Sequence, residues 1–316
     1  MKQPFEDLPT ILNSEELIEK IIKEVYKITE EDYKKREILR IKKAKRISTR
    51  YLENIVKSFP TIDKIHPFYR EMIEIIYGIS KLKSLLGRIS RTSRIIKEIT
   101  EISISNIKKS NDLNEIKKIR KSFLGRIASL IRKIDEDLSD LSKIREKLKD
   151  LPAIDPELST IILAGYPGVG KSTIVRAISS AKPEVRSYPF TTKEIIVGHF
   201  YSKGKKIQII DTPGLLDRPI KSKEEQIAIS ALNYLNGKIA FIVDVAESNG
   251  FTLEEQKSLY DNLKKLLKSE IFVFFNKIDI ADKEKISKAE LYFGPCIKII
   301  ATKGIGLNEF INLLSL

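Results

Sequence analysis

A phosphate-binding loop is the feature that most constrains what this chain can fold into. Residues 165–173 read Gly-Tyr-Pro-Gly-Val-Gly-Lys-Ser-Thr, which fits the pattern G-x-x-x-x-G-K-S. The apolar, β-branched run 160–164 predicts a strand before the loop, and the apolar spacing over 174–179 predicts a helix after it. In a strand, glycine turn and helix arrangement, backbone N–H groups and the helix N-terminus surround phosphate oxygens. The sequence therefore predicts a nucleotide-binding domain.

Each position of this loop is a candidate for a specific contact. Lys171 is placed to reach the β- and γ-phosphates, so we count it among the catalytic residues, and the Ser172 hydroxyl is placed to bind Mg²⁺. The other loop positions are expected to bind phosphate through their backbone. They are Gly168, Val169, Gly170 and Thr173.

Two further motifs follow in the order expected of a nucleotide-dependent switch. A Tyr-Pro-Phe-Thr-Thr segment ends in Thr191 and Thr192, and either hydroxyl can bind Mg²⁺ beside the γ-phosphate. The predicted strand 206–210 ends in Asp-Thr-Pro-Gly, in which Asp211 is placed to help hold Mg²⁺. The Gly214 N–H is placed to bond the γ-phosphate, so we count Gly214 among the catalytic residues. The loop and these two motifs together predict a switch ordered by a nucleoside triphosphate.

The base-binding motif selects guanine. A predicted strand ends in Asn-Lys-Ile-Asp, where Asp279 can accept protons from guanine N1 and the 2-amino group. Adenine has no such donor pair, so it would leave the buried carboxylate unpaired. Lys277 is expected beside the base, and Asn276 is expected to tie this loop to the phosphate loop. In the last motif, Ala301 and Thr302 are placed near the base, and the Ala301 N–H is aimed at guanine O6.

Charge is distributed unevenly over the 316 residues. The net charge is +14, and residues 1–150 carry 35 basic and 24 acidic side chains against 22 and 19 in residues 151–316. This asymmetry favours a polyanionic partner for the first half, although a solvated Lys-rich surface is the alternative. A lone cysteine, Cys296, excludes an intrachain disulfide framework, and no apolar run is long enough to span a bilayer.

The fold class predicted is α/β, with an all-α antiparallel bundle followed by a Ras-like domain on a mostly parallel sheet. We place the basic helical domain at residues 1–155 and the GTP-binding domain at 156–316. Four or five helices are expected in the first domain, the last running roughly from 115 to 149. The strongest basic surface includes Lys42, Lys43, Lys45 and Arg46.

Longer strings of residues show a specific resemblance. Segments 66–71, 151–156, 187–192, 211–219 and 250–256 resemble the nucleolar GTP-binding protein 1 family, within the Obg-like GTPases. The resemblance implies a helical domain ahead of a Ras-like domain that binds GTP or GDP with Mg²⁺. It also implies a role in large ribosomal subunit assembly through rRNA and pre-ribosomal particles. The family pattern favours Thr192 over Thr191 as the Mg²⁺ ligand and as a catalytic residue.

Four positions bear on how this chain differs from other GTPases. Leu215 stands where Ras-like enzymes have the glutamine that orients water, so we expect slow hydrolysis, near or below ~10⁻⁴ s⁻¹ without an activating partner. Gly168 replaces the usual family asparagine, which helps hold K⁺ in some related GTPases, and this weighs against K⁺ stimulation. Ile300 replaces a serine common in the last motif. The chain stops at Leu316, like a short archaeal member, which favours the cytoplasm.

Two functional hypotheses remain open at this point. The first is a guanine-nucleotide switch, monomeric off the ribosome, whose basic helical domain docks on rRNA of the large-subunit precursor. The second is a GTP-dependent regulator whose helical domain binds a protein partner instead of RNA. Neither hypothesis involves a membrane.

Overall fold

The computed structural model describes residues 3–186, 194–218 and 223–315. Eleven α-helices lie within these residues: α1 Ser14–Tyr26, α2 Tyr33–Ser58, α3 Pro67–Ile76, α4 Ile79–Lys109, α5 Leu113–Arg132, α6 Asp135–Lys149, α7 Lys171–Ile178, α8 Lys223–Leu232, α9 Leu253–Leu266, α10 Lys283–Phe293 and α11 Leu307–Leu314. Seven strands accompany them: β1 Ser159–Ala164, β2 Glu184–Arg186, β3 Ile195–Ser202, β4 Lys205–Asp211, β5 Gly237–Asp244, β6 Ile271–Asn276 and β7 Ile297–Lys298.

Two compact units divide the chain. The helical unit comprises residues 4–64 and 77–149, and the second unit comprises Gln3, residues 65–76 and the chain from 150 onward. Helix α3 therefore belongs to the unit that contains the sheet, where it packs against α8. Residues 151–156, at the junction of the two predicted domains, are partly buried in that unit: Leu151 and Ile154 are buried, and the Tyr69 hydroxyl donates to the Ile154 carbonyl oxygen at 2.5 Å.

The helical unit is built from amphipathic helices with defined starts. Asn13 and Glu16 form a capping box at α1, and the Asp32 side chain caps α2. Helix α2 packs chiefly against α4, and α4 packs in turn against α5. The core consists of fully buried aliphatic and aromatic side chains, among them Leu17, Ile21, Ile41, Leu52, Ile89 and Phe123.

The last helix predicted for the first domain differs from the structure. The helix expected over roughly 115–149 is two helices, because Lys133 and Ile134 interrupt it and the acidic residues of α6 begin a new first turn. The side chain of Asp135 in that turn accepts the Ser14 N–H at 2.9 Å, which anchors the new helix start. The pattern that continues from α3 into α4 is broken at Gly78, whose φ of 93° is outside the helical region.

The second unit is organised on a seven-stranded sheet of order β2-β3-β4-β1-β5-β6-β7. Strands β4, β1, β5, β6 and β7 are parallel, whereas β2, β3 and β4 pair antiparallel. The central strands are almost wholly buried, which explains their continuous apolar sequence. Strand β1 lies between β4 and β5, so the strand order reverses direction at its carboxyl end, where ligands bind in open α/β sheets. The predicted α/β fold is confirmed, and no described helix is long and apolar enough to cross a membrane.

Candidate nucleotide site

The phosphate loop connects β1 to α7 and depends on glycine at two crowded points. Gly165 has φ 129°, and a Cβ there would lie 2.4 Å from the Ile242 carbonyl oxygen. Gly170 has φ 106°, and a Cβ there would lie 2.3 Å from the Asn276 amide nitrogen. A side chain at Gly165 would clash with the backbone of β5, and one at Gly170 would displace the Asn276 side chain, so the tight loop requires both glycines.

Lys171 is the buried cation of the loop. Its Nζ donates to the carbonyl oxygens of Gly165 at 2.6 Å and Tyr166 at 2.9 Å, and only 6% of the residue is exposed. The side chain faces a cavity of about 260 Å³, large enough to take phosphate groups. This cavity is lined by Pro167, Gly168, Gly170, Lys171, Ser172, Thr173, Asp211, Pro213 and Asp217. Val169, the remaining predicted loop residue, has its side chain fully buried.

Ser172 and Asp211 meet at the cavity wall. The Ser172 hydroxyl donates to Asp211 Oδ2 at 2.5 Å, while Oδ1 of the fully buried Asp211 has no hydrogen-bond partner among the described residues. Burial raises the pKa of the Asp211 carboxyl, while Lys171 and the Ser172 hydrogen bond partly oppose this effect. A hydroxyl beside a carboxylate oxygen with spare acceptor capacity suits Mg²⁺, which takes few protein ligands and several waters or phosphate oxygens. The residues present therefore fit that ion.

The described residues contain no group of three or more His, Cys, Asp or Glu side chains able to hold a metal. Thr191 and Thr192, the candidates from the switch segment, lie outside the described residues.

The Asp-Thr-Pro-Gly motif continues into a buried turn. The Gly214 N–H donates to Asp217 Oδ2 at 2.8 Å, and Asp217 is only 2% exposed. Leu215 is equally buried, and the Gly165 N–H donates to the Leu216 carbonyl oxygen at 3.0 Å. The turn is thus fastened to the start of the phosphate loop. Sequence reasoning missed Asp217, because a motif does not show in which direction the following turn bends.

Asn276 bridges the base-binding loops and the phosphate loop. Its Nδ2 donates to the Val169 carbonyl oxygen at 2.8 Å, which is the tie expected from the sequence. Its Oδ1 accepts the Ala301 N–H at 3.1 Å, the same N–H that we expected to meet guanine O6. A contact of Ala301 with the base would have to share this hydrogen bond, so its role stays a prediction. Thr302 is exposed in a 3₁₀ turn, Ala301–Lys303.

Two lysines hold the carboxylates on the base side. Lys303 Nζ donates to Asp279 Oδ2 at 2.8 Å, and this hydrogen bond lowers the pKa of the Asp279 carboxyl. Lys277, with a left-handed φ of 62°, donates from Nζ to the buried Asp244 Oδ2 at 2.8 Å. Gln256 donates to the Asp244 carbonyl oxygen and accepts its N–H, which completes a rigid support. Asp244 was missed, although a polar residue ending a buried strand is a readable signal.

A second support holds the phosphate loop from the β5–α9 connection. Asn249 Nδ2 donates to the Pro167 carbonyl oxygen at 3.2 Å, and Tyr166 stacks on Phe251 with ring centroids 4.0 Å apart. A Cβ on Gly168 would lie 3.2 Å from the Asn249 Cβ. The side chain of Asn249 therefore fills space beside the residue at which this chain departs from the usual family asparagine.

Comparisons with known proteins agree with this arrangement. A family model described as the NOG1 N-terminal helical domain matches residues 5–155, and one described as a 50S ribosome-binding GTPase matches residues 160–277. The chain is 36% identical over 296 residues to the uncharacterized protein MJ1408 of Methanocaldococcus jannaschii, covering 90% of this chain and 83% of that protein.

Two relatives carry a functional name. The chain is 34% identical to the nucleolar GTP-binding protein 1 of Encephalitozoon cuniculi, covering 72% of this chain and 44% of that protein. It is 32% identical to the protein of the same name from Saccharomyces cerevisiae, covering 75% of this chain and 37% of that protein. The chain thus spans less than half the length of these two relatives. The helical match followed by the GTPase match shows that the chain is a GTP-binding protein of the NOG1 family.

Proposed function

We propose that this chain is a guanine-nucleotide switch in large ribosomal subunit assembly, and that its helical unit docks on rRNA. The observation that carries the proposal is the match to a 50S ribosome-binding GTPase in a chain whose first 150 residues hold a large excess of positive charge. Phosphate contacts dominate the affinity of most proteins for nucleic acid, so a basic helical unit suits this partner.

The docking groove that we propose lies between α1 and α2. Its volume is about 330 Å³, and its basic lining residues are Lys20, Lys43, Arg46 and Arg50. Glu24 lines the same groove and pairs with Lys43 at 3.4 Å, so in the part of the chain that the structure describes Lys20, Arg46 and Arg50 carry its unpaired charge. Arg46 and Arg50 are exposed and one helical turn apart, and Lys42 precedes them by another turn on the same face of α2. Within the described residues, none of Lys42, Arg46 and Arg50 pairs with a carboxylate. Such free cations are what a phosphate backbone requires.

Other basic residues of the helical unit are already engaged. Lys45 pairs with Glu101 at 2.8 Å, so it contributes less to the surface than the sequence suggests. Arg40 and Arg120 bind the buried Glu37, at 2.7 Å and 2.5 Å, and belong to the interior. The free positive charge of α2 is therefore concentrated in the groove and along the face of Lys42, Arg46 and Arg50.

We propose that GTP is bound with Mg²⁺, held by Ser172, Asp211 and Thr192, and is hydrolysed to GDP and phosphate. The ion would offset charge on the phosphates, as in other phosphoryl-transfer sites. Loop N–H groups and Lys171 would bind the phosphates, and the Gly214 N–H would bond the γ-phosphate. Asn276, Lys277 and Asp279 would hold guanine.

Intrinsic hydrolysis is expected to be slow. Leu215 is buried, so neither its chemistry nor its position allows it to orient a water molecule. We expect turnover near or below ~10⁻⁴ s⁻¹, raised by an activating partner on the particle. Single-turnover hydrolysis by the purified chain tests this, since turnover of several GTP per second would contradict it.

Charge reversal tests the docking surface. The triple variant Lys42→Glu, Arg46→Glu, Arg50→Glu is compared with Lys203→Glu, Lys205→Glu, Lys206→Glu, which changes the charge equally at exposed positions of the other unit. Only the first should lose sedimentation with large-subunit particles, and both should retain GTP affinity. Equal binding by the two variants would refute the groove. Binding that survives RNase digestion of the particle would favour a protein partner instead.

A further inference from the structure

We propose that the Asp217 carboxylate competes with the γ-phosphate of GTP for the Gly214 N–H, and thereby lowers the preference of the site for GTP over GDP. The inference rests on the proposed binding of guanine nucleotides. It assigns a role in nucleotide-state selection to a residue three positions beyond Gly214, the last residue of the Asp-Thr-Pro-Gly motif.

The geometry places Asp217 inside the phosphate cavity. Its Oδ2 accepts the Gly214 N–H at 2.8 Å, and the residue is 2% exposed. Its Oδ1 is also buried and has no hydrogen-bond partner in the described part of the chain. Lys171 and Asp211 line the same cavity. The carboxylate is therefore a buried anion that holds the N–H assigned to the γ-phosphate.

The backbone fixes this position. Gly214 has φ 85°, and the Leu215 N–H donates back to the Thr212 carbonyl oxygen at 3.1 Å. Leu215 and Leu216 are buried, and the Leu216 carbonyl oxygen accepts the Gly165 N–H. Since the turn is packed on both sides, Asp217 is directed back toward Gly214 and not toward solvent.

The Asp217 carboxylate and the γ-phosphate compete because both are anionic and both accept the single Gly214 N–H. A backbone N–H has one hydrogen, so a γ-phosphate oxygen on Gly214 competes with the Asp217 oxygen for it and weakens or displaces that hydrogen bond. The displaced carboxylate would then stand in a confined cavity beside an anionic phosphate and Asp211. Among the described residues that line the cavity, Lys171 is the one cationic side chain, and the proposed Mg²⁺ would add positive charge on the Asp211 side. GDP has no γ-phosphate and leaves the hydrogen bond intact. A site prefers one nucleotide over another only to the extent that its affinities for the two differ. Because Asp217 opposes binding of the γ-phosphate but not of GDP, it lowers the affinity for GTP relative to that for GDP.

The test compares affinities for Mg²⁺-GDP and for a non-hydrolysable Mg²⁺-GTP analogue, measured by titration with fluorescent nucleotides. Asp217→Ala should raise the analogue-to-GDP affinity ratio by roughly tenfold, the size expected from one hydrogen bond to a charged group. Asp217→Asn keeps an acceptor but removes the charge, so it should raise the ratio by less. Asp261→Ala, which removes a half-buried aspartate on α9 that pairs with Lys257, should leave the ratio unchanged.

Three outcomes overturn the inference. A ratio within twofold of the parent in both Asp217 variants shows that no competition exists. An equal fall in both affinities, with a lower melting temperature, shows that Asp217 only holds the turn. Failure of the unaltered chain to bind any guanine nucleotide overturns the proposed function together with this inference, whereas normal binding with an unchanged ratio overturns this inference alone.

Discussion

The side-chain amide of Asn276 donates to the Val169 carbonyl oxygen at 2.8 Å, and so joins the base-binding edge of the sheet to the phosphate loop. The same side chain accepts the Ala301 N–H, so one residue fixes three loops. A site made of loops from distant strands needs such a link, because the loops would otherwise move independently and bind nucleotide weakly.

Asn276→Ala should therefore weaken nucleotide binding without direct loss of a phosphate contact. Two buried backbone groups would lose their partner, at about 1–3 kcal/mol each. We expect GDP affinity to fall by at least roughly tenfold in isothermal titration. Asn308→Ala, at an exposed position of the same unit, serves as the control and should bind like the parent. Parent-like affinity in Asn276→Ala would show that the loops are fixed by other contacts.

Asp211→Asn should stabilise the chain while weakening its use of Mg²⁺. The pKa of the Asp211 carboxyl is raised above its ordinary value of 3.8, chiefly by burial. A raised acidic pKa means that the folded state binds the proton more tightly, so stability is lost as pH rises above 3.8. The asparagine side chain does not ionise, so the variant does not lose folding stability in this way. We expect a melting temperature about 2–4 °C higher at pH 8, with the difference shrinking toward pH 4.

A melting-temperature difference between Asp211→Asn and the parent that does not change with pH would contradict this prediction. Its GTP affinity in Mg²⁺ should fall, because the carboxylate would be missing from the proposed ion site. A variant that gains stability and keeps its Mg²⁺-dependent affinity would exclude Asp211 from that site.

Gly168→Asn should conflict with Asn249. The backbone at Gly168 has φ 79°, which asparagine tolerates better than most residues, but its Cβ would lie 3.2 Å from the Asn249 Cβ. We expect a loss of about 1 kcal/mol in unfolding free energy. The single variant Asn249→Gly should also lower the unfolding free energy, because the hydrogen bond from the Asn249 side chain to the Pro167 carbonyl oxygen is lost. The double variant should be more stable than the sum of the two changes predicts, and strict additivity in urea titrations would contradict the contact.

Glu37→Ala should destabilise the helical unit strongly. Glu37 is 1% exposed and pairs with Arg40 and Arg120, which would be left as neighbouring buried cations. Removing one partner from a buried ion pair costs about 3–5 kcal/mol. Glu15→Ala, which breaks the exposed pair with Arg132, should leave the unfolding midpoint nearly unchanged. Similar midpoints for both variants would mean that the Glu37 cluster adds no stability.

The sequence indicates the parts of this structure that depend on local pattern. Gly170 and Lys171 lie at a strand–helix turn, because that motif encodes its own geometry. Asp211 and Asn276 end parallel strands at one edge of the sheet, where the topology brings them together. The α/β fold follows from the change in hydrophobic period after residue 155.

Long-range relationships could not be read in this way. Glu37 and Arg120 are far apart in sequence, and each alone resembles an ordinary surface residue. Helix α3 groups with the sheet-containing unit, although its sequence pattern continues that of the helices around it. Asp217 gains its contact through the bend after Gly214, which is set by the burial of Leu215 and Leu216. Each of these depends on tertiary packing and not on local propensity.

Nucleotide-dependent retention on the particle tests the central claim most directly. The unaltered chain is sedimented with large-subunit precursor particles in the presence of a non-hydrolysable GTP analogue, GDP or no nucleotide, at fixed salt. A guanine-nucleotide switch predicts that the retained fraction differs by at least roughly tenfold between the analogue and GDP, which corresponds to a coupling of ~1.4 kcal/mol. Equal retention in all three conditions would contradict it.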